Sequence, residues 1–71
     1  MTEAIPVFPT LEAEMARGGY TGNQLAAVIG VSPKTFSHKR NGVFPFRFDE
    51  CVALKTALGY KGPLEALFTR N

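Results

Sequence analysis

Leu11 and Met15 stand four residues apart with Ala16 beside them, the first of several short stretches in which apolar residues return at helical spacing. Pro6 and Pro9 hold the preceding segment extended. Thr10 is placed to cap a first helix, Glu12 and Glu14 suit its first turns, and Gly18 and Gly19 end it. A second helix is predicted from the cap Thr21, with Leu25, Val28 and Ile29 at helical spacing, Ala26 and Ala27 between them, and a stop at Gly30. Ser32 followed by Pro33 starts a third helix over 33–40. Asn41 and Gly42, both tolerant of left-handed geometry, end it. After the apolar connector 43–46, Phe48, Cys51, Val52, Leu54 and Leu58 mark a fourth helix closed by Gly59. Leu64, Leu67 and Phe68 mark a short fifth helix behind Gly62 and Pro63. No stretch alternates as a β-strand does, so the chain reads as all-α: an extended segment over 1–9, then a compact five-helix domain over 10–71.

The third helix breaks the pattern. Its one large apolar residue is Phe36, and a helix with a single anchor buries one narrow stripe and exposes the rest. Net charge is only +2, yet no acid occurs over 15–48, an interval that holds Arg17, Lys34, Lys39, Arg40 and Arg47 with His38 among them. A one-sided basic field of this kind attracts a polyanion. At 71 residues the chain is one small domain, with little room for a large enzyme pocket. Cys51 is its only cysteine, which excludes an internal disulfide and suits the cytoplasm. No stretch is long and apolar enough to span a membrane, and the first residues lack a basic export region. One histidine and one cysteine make no metal site, adjacent Asp49 and Glu50 point in different directions, and no cofactor, small-molecule ligand or catalytic group is expected.

Two short helices joined by a three-residue turn, the second polar and basic, outline a helix-turn-helix. Ala26, Gly30, Val31, Ser32 and Phe36, with Asn41 and Gly42 at the helix end, resemble the phage-repressor-like (Cro/CI, XRE) helix-turn-helix family, and the likeness runs over about 11–68. The resemblance implies a small bacterial or phage transcriptional regulator, a repressor by type, whose third helix enters the major groove of double-stranded DNA. It carries base contacts to Ser32, Lys34, Thr35, Ser37, His38 and Asn41, and phosphate contacts to Asn23, Gln24, Lys39, Arg40 and Arg47. Gly22 stands where relatives often carry a glutamine, and Arg47 takes the cap position of the fourth helix, which leaves the capping box with Glu50 incomplete. So few residues read only a few base pairs, and a homodimer on a two-fold operator is expected.

A second reading keeps the fold and drops the DNA: a protein-interaction module, such as an anti-repressor or assembly adaptor. Its contact surfaces would be the apolar opening 4–9 and the Leu64, Leu67, Phe68 face. Phe44, Phe46 and Phe48 are expected in the core under either reading.

Overall fold

The computed structural model describes residues 7–70, and these form five helices and no strand. They are α1 (Pro9–Gly18), α2 (Gly22–Ile29), α3 (Pro33–Arg40), α4 (Phe48–Leu58) and α5 (Leu64–Leu67). The all-α expectation therefore holds. Local chemistry explains most of the boundaries. Thr21 caps α2 with a reciprocal pair of bonds: its hydroxyl accepts from the Gln24 amide at 3.2 Å, and Gln24 Oε1 accepts from the Thr21 amide at 2.8 Å. Gly30 ends α2 at φ 72°, the left-handed conformation that glycine adopts without strain.

The start of the chain differs from expectation. α1 begins at Pro9 rather than behind a Thr10 cap, because proline's fixed φ suits the first helical position and needs no amide partner there. Phe8 holds this start from outside the helix: it is 6% exposed, and its carbonyl accepts from the Glu12 amide at 3.0 Å. The extended segment 1–9 is thus corrected at its end, where Phe8 belongs to the core and Pro9 to α1; residues 1–6 lie outside the described residues.

The core gathers Phe8, Leu11, Met15, Leu25, Ala26, Phe36, Leu54, Leu58 and Leu67. Phe46, reaching in from the connector, meets Phe8, Phe36 and Phe68 at ring separations of 5.5, 6.0 and 5.2 Å. Its neighbours behave otherwise. Phe44 and Phe48 were expected in the core but are 48% and 76% exposed. For Phe48 the reason is register: α4 buries Glu50, Leu54 and Leu58, four residues apart, and Phe48 and Val52 fall on the opposite side of that stripe, while Phe44 lies before α4 and turns onto His38. No helix among the described residues is long and apolar enough to cross a membrane.

Candidate nucleic-acid interface

Ser32 places the third helix. Its hydroxyl accepts from the Thr35 amide at 3.1 Å and donates to Thr35 Oγ1 at 3.0 Å, with Pro33 at the first helical position behind it. Both hydroxyls are used within this cap, so two of the expected base contacts begin with a local structural role.

The side chains of α3 then divide into two stripes. Phe36, Lys39 and Arg40, three and four residues apart, all face inward. Phe36 is 1% exposed and fills the core. Lys39 is buried as well: its ammonium donates to Glu50 Oε1 at 2.8 Å and to the Pro45 carbonyl at 3.2 Å. The phosphate contact expected of Lys39 would require this pair to open, since its charge is neutralised inside the domain and its stem follows the inward stripe.

Arg40 is likewise engaged inside the domain, so the phosphate contact expected of it competes with an internal partner. Its Nε and Nη2 donate to the two oxygens of Glu12 at 2.7 and 2.5 Å, a forked pair that ties the end of α3 to α1. The bond to Glu12 raises the guanidinium pKa above its ordinary value, against the opposing effect of partial burial.

Opposite this stripe lie Lys34, Ser37, His38 and Asn41, again at helical spacing. Lys34, Ser37 and Asn41 are exposed, and the Asn41 side-chain amide donates to the Ser37 hydroxyl at 3.4 Å. His38 is half-buried, its ring edge-on to Phe44 with centroids 5.4 Å apart. The connector holds that arrangement, because the Val43 and Phe44 amides both donate to the His38 carbonyl, at 2.8 and 3.4 Å. Exposed Phe44 therefore braces a candidate reader.

The remaining expected contacts lie around α3. Asn23 and Gln24 are exposed in the first turn of α2, with the Gln24 carbonyl oxygen committed to the cap. Arg47 is exposed and has only a 3.5 Å surface pair with Asp49, an interaction worth little and easily exchanged for a phosphate.

Glu50 has a dual role that its sequence position only half disclosed. It accepts from the Arg47 amide at 2.9 Å, the half of the capping box open to a chain with arginine at the cap, while its own amide donates to Asp49 Oδ1 at 3.0 Å. Burial pushes its carboxyl pKa up, but the Arg47 amide bond, the Lys39 hydrogen bond and the Lys39 charge outweigh that and leave it below the ordinary value. Sequence reasoning missed Glu12 altogether as part of this region. It sits 28 residues before its partner, and nothing in the local pattern couples the two.

Comparison with protein-family models, curated proteins and solved structures finds no match.

Proposed function

We propose that this chain binds double-stranded DNA in a sequence-dependent way, laying the Lys34, Ser37, His38, Asn41 stripe of α3 in the major groove, as a small transcriptional regulator of repressor type. The observation that carries this reading is the division of α3. Every strong internal attachment leaves from Phe36, Lys39 and Arg40, and the opposite stripe is polar, basic at Lys34 and free of acids. A helix fastened on one side and chemically equipped on the other suits a reading element better than a solubilising surface. Lys34 reaches guanine O6 and N7, Ser37 and Asn41 supply hydrogen bonds to base edges, and Arg47 anchors a phosphate beside them. Two copies on a two-fold site supply the specificity one short helix lacks.

An amide chemical-shift map against a duplex selected from a random library tests the reading. Shifts should centre on residues 32–41 and Arg47, and Lys34→Ala or Ser37→Ala should change the preferred sequence. Absence of binding to any duplex at low salt would sink it.

Exposed Phe48, Val52 and Val43 favour the second reading, a protein-interaction module. Its surfaces differ from those expected, since Leu67 is fully buried and Phe8 nearly so, while residues 4–6 lie outside the described residues. Shifts confined to Val43, Phe48 and Val52 upon partner binding, with none in α3, would select it.

A further inference from the structure

We infer that Glu12 is a specificity-determining positioning residue: it holds the end of α3 in its reading orientation and withholds the Arg40 charge from the DNA backbone. The inference rests on the DNA-binding reading and concerns the control of that same site. Three observations carry it.

The first is the forked bond from Arg40 to Glu12, which joins the last residue of α3 to the first turn of α1 with both side chains about 70% covered. A fork fixes direction as well as distance, unlike a single contact to a lysine. The second is the space the guanidinium occupies. It stands 6.0 Å from the Phe36 ring centre, and a methyl group added at Gly22 would come within 3.2 Å of Arg40 Nη1 and 3.7 Å of the Phe36 ring. Gly22 thus leaves open, at the start of α2, the volume that Arg40 fills from the end of α3. The third is the narrow apolar hold on the far end of α3, which beyond Phe36 is fixed by polar side chains. α3 has eight residues and one large apolar anchor, so beyond its packing on α2 its rotation about Phe36 is restrained by Arg40 and by the adjacent Lys39 bond to Glu50.

The electrostatic consequence is specific. Paired with Glu12, Arg40 adds no net charge to the interface and releases no counterion when DNA binds. With Glu12 neutralised, the guanidinium is free to seek a phosphate next to α2, and the end of α3 loses its fixed direction. Affinity for any duplex then rises as discrimination falls.

Binding is measured for wild type, Glu12→Gln, Glu12→Asp and the double variant Glu12→Gln with Arg40→Gln. The probes are a duplex selected with the wild-type protein and a scrambled duplex of the same composition, across a salt series, with thermal melts to confirm folding. Glu12→Gln should reduce the ratio of the two affinities by roughly tenfold, about the loss of one well-made base contact. It should also steepen the salt dependence by about 0.9 in log–log slope, one additional phosphate contact. The double variant should lose the same discrimination while its slope returns to the wild-type value, an outcome that a merely structural role for Glu12 would not produce. Glu12→Asp, which keeps the charge and shortens the reach, should lower discrimination without steepening the slope, and it serves if Glu12→Gln does not fold.

Wild-type selectivity and slope in Glu12→Gln would overturn the inference and leave the DNA-binding reading intact. A steeper slope persisting in the double variant would overturn it too, because the added contact would not be Arg40. Failure of the wild-type protein to bind either duplex removes the reading, and the inference with it.

Discussion

Lys39 shows how a residue's charge and its position in a pattern can point in opposite directions. Its charge argues for the surface, and its spacing from Phe36 argues for the core. The structure follows the spacing, because a carboxylate eleven residues away receives the ammonium inside the domain. That partner lies on another helix, beyond what local periodicity carries. Removing one member of such a pair strands the other: Lys39→Met should cost about 3–5 kcal/mol, against a total of about 4–11 kcal/mol for a chain of this size. Urea unfolding should show most of that loss recovered when Glu50→Gln is added, since the amide oxygen still accepts from Arg47 and no buried charge is left alone. The same carboxylate sets an acid limit. Its pKa is depressed in the folded chain, so its contribution to stability is complete above the ordinary value of 4.5 and is lost as pH falls through the lower folded value. A thermal-melting series below pH 5 should show midpoints falling with acid in the wild type, and a shallower fall in the Lys39→Met, Glu50→Gln double variant.

Among the elements, boundaries were legible and facing was less so. Caps and stops act over three or four residues, which is why Thr21, Ser32, Gly30 and Gly59 mark α2, α3 and α4 as their sequence positions suggest. Facing depends on what lies opposite. In α4 the apolar residues Phe48 and Val52 look like a core stripe, yet the buried register passes through Glu50, and only the arrival of Lys39 makes that register affordable. The candidate reading stripe was legible for the complementary reason: Phe36 alone set the inward side of α3, and Lys34, Ser37, His38 and Asn41 follow opposite it. The turn before that helix gives a clean test of backbone conformation. Gly30 has φ 72° and open space around a would-be Cβ, so Gly30→Ala pays conformational strain without a clash. A loss of about 1–2 kcal/mol is expected by chemical denaturation, with the helical content of the folded state unchanged.

For the whole molecule, the ion pairs redistribute the charge that the sequence alone assigns to the proposed binding face. Lys39, Arg40 and Arg47, the cations expected on phosphates, together suggest three phosphate neutralisations per protomer, a log–log salt slope of about −2.7. Lys39 is neutralised by Glu50 and Arg40 by Glu12, which leaves Arg47, with its loose surface pair to Asp49, as the cation of that set outside a close internal pair. The slope of DNA binding should therefore be about −0.9 per protomer, twice that for a bound dimer. Fluorescence anisotropy on a selected duplex at several salt concentrations distinguishes the two values. Under the proposed reading a slope this shallow has a functional consequence: with fewer backbone contacts, non-specific affinity would be low, and discrimination would rest on the directed contacts of α3 and on pairing two copies. A measured slope near −2.7 per protomer would mean that the internal pairs open when DNA binds, and Lys39→Met and Arg40→Gln would then each remove about 0.9 from it.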